Sequence, residues 1–119
     1  MTDTLVHRGP DGEGIWSDQE AGVALGHRRL SILDLSPAGA QPMISACERY
    51  VIAFNGEIYN HLALRVDLQV SGATPGWRGS SDTETLLAAV THWGLQDALR
   101  RACGMFALAL WDRQTRRLH

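Results

Sequence analysis

Three short stretches of the chain carry polar side chains that a simple fold does not require. The first is Gly26-His27-Arg28-Arg29-Leu30-Ser31-Ile32, a strand end with two adjacent arginines. Successive side chains on a strand point to opposite faces, so one guanidinium can meet solvent while the other meets a pocket. There its rigid fork would grip a carboxylate. The second is Phe54-Asn55-Gly56-Glu57-Ile58-Tyr59-Asn60. An Asn side-chain amide beside a Gly backbone N–H can form an oxyanion hole, two donors aimed at a developing negative charge. Glu57 could bind a ligand amine. The third stretch, Ser81-Asp82-Thr83-Glu84, sets a carboxylate in the first turn of a helix, where it could meet a substrate ammonium. Each also has an ordinary reading: two solvated arginines, a tight Asn-Gly turn with a surface Glu, and an Asp stabilised by the helix macrodipole. Taken singly, the ordinary reading explains each.

Composition narrows the chemistry. All eleven basic residues are Arg. Without Lys, a Schiff-base lysine, a P-loop lysine and a Ser–Lys nucleophile pair are excluded. His7, His27, His61, His92 and His119 show no metal-ligand spacing, so no metal is assigned and each is read as a surface or supporting residue. Cys47 and Cys103 fit no C-x-x-C pattern and are read as reduced thiols. The four tryptophans are read as core and rim packing. A net charge of −2 argues against capture of nucleic acid or an anionic membrane. No apolar run approaches the ~18 residues of a membrane span, and the N-terminus lacks a signal-peptide core. A cytoplasmic protein is expected.

The elements that must position these groups follow from periodicity. Val23–Leu30 reads as a strand, Leu33–Pro42 as a loop, and Tyr50–Phe54 as a strand bounded by Asn55-Gly56. Over Asn60–Val70 the apolar residues alternate as in a strand, yet Asn60 is a good N-cap and Leu64 and Leu68 fall at helical spacing. A helix is favoured. Ser81 to Glu84 forms a capping box, followed by Leu86, Leu87, Val90 and Trp93 at helical spacing and Gly94 at the C-cap. Met105–Trp111 is an unbroken apolar run, as for a central strand covered on both faces. Asp112–Thr115 turns the chain and Arg116–His119 begins a partner strand. Four or five strands with two or three helices make an α+β or layered α/β domain.

Taken in order, the motifs resemble one family. His7-Arg8-Gly9-Pro10-Asp11-Gly12, Gly26 to Asp34, Gly39-Ala40-Gln41-Pro42-Met43, Asn55 to His61, Ser81-Asp82-Thr83-Glu84 and Gly104-Met105-Phe106-Ala107 run through the whole chain. They are similar to the glutaminase domain of glutamine-hydrolysing asparagine synthetases, class II amidotransferases. The resemblance implies an N-terminal-nucleophile hydrolase fold, α+β, a four-layer αββα sandwich. It implies that Arg29 grips the glutamine α-carboxylate and that the backbone around Leu30, Ile32 and Leu33 lines the same pocket. Asn55 and Gly56 match the oxyanion hole, and Glu57 and Asp82 the pair that receives the amino group. It also settles Asn60–Val70 as helix.

The implied partners are glutamine and a C-terminal synthetase domain, normally in the same chain, where ATP and magnesium activate aspartate. The full-length family is compatible with a homodimer. Family members begin Met-Cys-Gly-Ile, and their cysteine lies well upstream of the His-Arg-Gly-Pro-Asp motif. Here only Met1 to Val6 precede His7, neither Cys47 nor Cys103 can take that place, and Thr2 lies too close to His7. The expectation is therefore a partial type 2 amidotransferase domain over residues 1–119, lacking the nucleophile strand, the last strands and the synthetase domain, and inactive as it stands. Two other readings share the pocket: a glutamine-binding or scaffold module without catalysis, and an amidotransferase serving a non-aspartate acceptor.

Overall fold

A computed structural model describes residues 12–29, 39–73 and 76–119, with the backbone alone for Gly12, Glu13, Arg28 and Arg29. Residues 1–11, with the His7–Asp11 motif residues, and residues 30–38 and 74–75 lie outside the described residues. Strands β1 (Gly12–Asp18) and β2 (Val23–Arg29) form an antiparallel hairpin, from Gly12 opposite Arg29 to Asp18 opposite Val23. Its turn is closed by Asp18 Oδ1, which accepts the Ala21 N–H at 3.2 Å. A second antiparallel sheet runs in the order β3 (Met43–Ile44), β4 (Tyr50–Ile58), β5 (Gly104–Asp112) and β6 (Arg117–Leu118). Between β4 and β5 the chain forms α1 (His61–Val70), α2 (Asp82–Trp93) and α3 (Leu95–Arg101). The peptide bond Gln41–Pro42 is cis.

Alternation along β4 produces the layers. Tyr50, Ile52, Phe54 and Ile58 pack against Leu64, Leu68, Leu86, Leu87 and Val90 of the helices, with Leu110 from β5. On the opposite face Val51 and Trp111 pack against Leu25 of the hairpin, with Trp16, Val23, Ala53 and Ala109 around them. The described residues thus stack helices, sheet and sheet, three adjacent layers of the expected αββα sandwich.

Helix α1 explains its own ambiguous sequence. Leu64 and Leu68 are buried, whereas Leu62, Val66 and Val70 are exposed on the other side. A helix with apolar residues on two opposed faces mimics strand alternation, because two helical steps turn about 200°. Helix α2 has the expected core residues, and Gly94 ends it at φ 88°.

Several local expectations need correction. Asn55-Gly56 is not a turn. Strand β4 runs straight through it, pairing Asn55 with Ala107 and Gly56 with Phe106. Asn60 sits at the N-cap position but makes no capping bond. Its amide instead donates to the Arg101 carbonyl and accepts the Cys103 N–H, both at 2.8 Å, tying α1 to the end of α3. Only half of the capping box forms. Ser81 Oγ accepts the Glu84 N–H at 3.2 Å, while the Glu84 carboxylate accepts the N–H groups of Arg78 and Gly79 at 2.7 and 2.9 Å. Two converging donors in the preceding loop outcompete the single Ser81 N–H. Strand β5 is central but not covered on both faces throughout: Leu110 and Trp111 are buried, Met105 and Ala107 exposed. Among the described residues there are six strands, because β3 and β6 are two-residue pairings too short to stand out in the sequence.

Candidate functional site

The β3-facing edge of β4 organises the site. In an antiparallel strand, alternate residues direct both backbone groups to the same edge. At Tyr50 this edge is closed by Ser45, whose N–H donates to the Tyr50 carbonyl at 2.9 Å and whose Oγ accepts the Tyr50 N–H at 3.0 Å. At Ile52 it pairs with Met43 of β3. Beyond Ile52 there is no β3 left, and side chains take over. Gln41 Oε1 accepts the Phe54 N–H at 2.6 Å, and His27 Nε2 donates to the Phe54 carbonyl at 2.8 Å. At Ile58 the N–H is taken by Asp82 Oδ2 at 2.8 Å.

Gly56 lies between these closed positions. Alternation turns its N–H to the same edge, where it has no acceptor among the described residues. Only glycine suits the position: its φ is 132°, and a Cβ would collide with the Met105 carbonyl and with Phe106. The Asn55 side chain, exposed and adjacent, likewise has no hydrogen-bond partner among the described residues. The Asn55 side chain and the Gly56 N–H, adjacent along β4, are therefore without partners among the described residues, while the edge positions Phe54 and Ile58 on either side are occupied. Such a preorganised pair suits a developing anion.

Asp82 and Glu57 flank this point. Asp82 is only 6% exposed, at the first turn of α2, and its bond to Ile58 fixes that turn beside the end of β4. The rest of the approach is held by Arg65. Its guanidinium donates to Thr85 Oγ1 at 2.8 Å and to the carbonyls of Gly79 and Ser81 at 3.0 Å, and it stacks on Trp77 at 3.9 Å. Glu57 is half-buried and lies on the same face of β4 as Asn55, opposite Met105 of β5. Of the residues expected in the pocket, Asn55, Gly56, Glu57 and Asp82 are thus brought to one end of β4. Arg29 closes β2, its backbone opposite Gly12. Leu30, Ile32 and Leu33 lie outside the described residues.

Sequence reasoning gave no role to Gln41 and read His27 only as a surface or supporting residue, although both fall within the quoted motifs. The available signal was a polar side chain within an otherwise turn-forming Gly-Ala-Gln-Pro run. Among the described residues no group of His, Cys, Asp and Glu could hold a metal ion, and no helix is long and apolar enough to cross a membrane.

A cavity of about 660 Å³ runs along α2 from Glu84 to His92 and is lined also by Ile44, Cys47, Trp77 and Leu87 among others. Asn55, Gly56, Glu57 and Asp82 are not among its lining residues. Burial pushes the Cys47 thiol up, but hydrogen bonds from Ser45, the Arg49 backbone and Thr91 outweigh it and leave the pKa lowered. Both cysteines are free thiols.

Comparison with known proteins agrees with this geometry. The family model of a glutamine amidotransferase domain matches residues 1–119. The chain is 43% identical over 113 residues to asparagine synthetase [glutamine-hydrolyzing] 1 of Bacillus subtilis, covering 95% of this chain and 17% of that protein. It is 44% identical over 108 residues to asparagine synthetase B [glutamine-hydrolyzing] of Escherichia coli, covering 91% and 18%. It is also 37% identical over 116 residues to amidase chry2 of Gibberella zeae, covering 98% and 17%. The chain therefore spans less than a fifth of the length of these relatives. Among solved structures, glutamine phosphoribosylpyrophosphate amidotransferase of B. subtilis, complexed with ADP and GMP, superposes with a TM-score of 0.74. It is 22% identical, with 94% of this chain and 31% of that chain covered, which establishes likeness of fold.

Proposed function

Because this chain belongs to the glutamine amidotransferase domain family, we propose that it binds glutamine at the Asn55–Ile58 end of β4 as the glutaminase part of an asparagine synthetase. In such an enzyme glutamine is hydrolysed to glutamate and ammonia, and the ammonia amidates aspartate in an ATP- and magnesium-dependent domain of the longer protein. The observation that carries the reading is the Gly56 N–H next to Asn55, without an acceptor among the described residues, between positions closed by Gln41, His27 and Asp82.

Attack on the glutamine carboxamide carbon turns its oxygen into an oxyanion. Asn55 Nδ2 and the Gly56 N–H donate to that oxygen, and loss of one such donor typically costs ~2.7–4 kcal/mol of barrier lowering. The α-ammonium is received by Glu57 and by Asp82, whose Oδ2 holds Ile58 and whose Oδ1 has no hydrogen-bond partner among the described residues. Arg29 receives the α-carboxylate, with the backbone of Leu30, Ile32 and Leu33 lining the pocket. One cation for the carboxylate and two anions for the ammonium complement a zwitterionic amino acid. The nucleophile is assigned to neither Cys47 nor Cys103.

Calorimetric titration with L-glutamine, with ammonia assayed in the same sample, tests the reading. The expected outcome is binding of L-glutamine but not D-glutamine, weakened about tenfold or more by Asp82→Asn through loss of a charge-assisted contact. An isotherm that stays flat for L-glutamine well beyond the millimolar range overturns it. A second reading is favoured by the 37% identity to amidase chry2: the same glutamine site serving an acceptor other than aspartate. Product analysis of the longer protein, with and without aspartate, separates the two.

A further inference from the structure

The Gln41 carboxamide makes two bonds at once. Its Oε1 accepts the N–H of Phe54, the residue before Asn55-Gly56, at 2.6 Å. Its Nε2 donates to the hydroxyl of Thr83, the residue after Asp82, at 3.3 Å. One carboxamide thus spans from the β4 strand to the first turn of α2, past the end of β3, where Phe54 has no backbone partner on that edge among the described residues. The base of this span is pinned as well. Gly14 of β1 lies so close to the Gln41 carbonyl that a Cβ there would collide with it and press on Pro42. The hairpin layer, the β4 edge and the α2 terminus therefore meet on a single residue, the hairpin at its backbone and the other two at its side chain.

We infer that Gln41 is a positioning residue that sets the spacing between the Asn55-Gly56 donors and the Asp82 carboxylate. The inference rests on the glutamine reading above and deepens it, because that spacing separates the groups assigned to the two ends of one ligand. Glutamine bears its carboxamide three carbons from the α-carbon, so donors for the oxygen and acceptors for the ammonium must keep a fixed separation. A ligand that engages only the amino-acid end does not sense it. Misplacement of binding groups by about 1 Å can cost up to ~100-fold in a positioned site. Gln41→Leu removes both bonds. Gln41→Glu keeps an acceptor for Phe54 and a second oxygen able to accept from the Thr83 hydroxyl. Thr83→Val, nearly isosteric, removes the α2 bond alone.

The test compares affinity for L-glutamine with that for L-norvaline, which shares the amino-acid end and lacks the carboxamide. In Gln41→Leu, glutamine affinity should fall about tenfold or more, with norvaline affinity and Gln41→Glu both close to wild type. Thr83→Val should shift selectivity in the same direction, which keeps the test intact if Gln41→Leu does not fold. Unchanged glutamine selectivity in Gln41→Leu and Thr83→Val, against a wild type that binds glutamine, overturns the inference and leaves the functional reading standing. If the wild type binds no glutamine, that reading fails instead, and backbone amide NMR of the same variants decides the strut. Shifts at both Gly56 and Asp82, with faster exchange at Phe54, uphold the coupling. Resonances unchanged at those positions refute it.

Discussion

The two ends of the β4–β5 ladder share one register and have opposite surroundings. From Tyr50 to Phe54, paired with Asp112 to Leu108, the helix-facing side chains are sealed by α1 and α2 and the other face is covered by the hairpin. The rim there is locked by Arg49, whose Nε and terminal nitrogen donate to the two Asp112 oxygens at 2.9 and 2.8 Å. From Asn55 to Ile58 the same ladder continues, but Met105 and Ala107 stand exposed and the outward positions of β4 are Asn and Glu. One end spends its side chains on packing. The other leaves polar groups on a rigid strand with their backbone neighbours already satisfied. Rigidity at the site is thus imported along the ladder from the packed end, which is how a strand can present donors more precisely than a loop.

The largest break in this comparison should come from the packed end. Leu110 is fully buried between β4 and the helices, so Leu110→Ala should destabilise the fold by about 2–5 kcal/mol through lost transfer energy and a residual cavity. Denaturant unfolding measures it. A loss under about 1 kcal/mol would show that this end does not anchor the ladder.

The next effect is electrostatic. Arg49, by its paired hydrogen bonds, holds the Asp112 carboxyl well below the usual carboxylate range against the opposing effect of burial. The N–H groups of Gln114 and Thr115 add to this at 3.0 and 3.3 Å. A carboxylate whose folded pKa is depressed stabilises the protein above its unfolded value of about 3.9, and the contribution is lost as pH falls toward the folded pKa. Melting temperatures of wild type and Asp112→Asn should therefore differ most near neutral pH and converge below pH ~4. A gap that stays constant down to pH ~2 would remove this ion pair from the account of the packed end.

Much of this contrast was legible in the sequence, though not all for the right reason. The helix over Asn60–Val70 was only favoured by its spacing and was settled by the family resemblance, whereas the capping serine and the core of α2 followed from local periodicity and turn chemistry. The Asn55-Gly56 pair did not. In isolation it is a turn signal, and only the full ladder with Ala107 and Phe106 shows it holding a strand conformation. Gly56 is required for close approach to β5, not for chain reversal. The apolar run Met105–Trp111 likewise cannot report that its first half is open, because coverage is decided by distant segments. Nor can local pattern show that Gln41 and His27 replace a missing strand partner at Phe54, since they reach it across 13 and 27 positions of sequence.

The smallest effect sharpens the comparison most cleanly. Met105 lies in the same strand as Leu110, in the same apolar run, and is 76% exposed. If composition decided stability, replacing it by a polar residue would cost as much as a change at Leu110. If coverage decides, Met105→Gln should alter unfolding free energy by no more than about 0.5 kcal/mol, as at surface positions away from packing, caps and ion pairs. Its backbone still has to hold the ladder opposite Glu57, and glutamine is tolerated there because the pairing uses only main-chain groups. A loss of about 2 kcal/mol or more would mean that Met105 is covered in solution, and the open end of the ladder would then be closed.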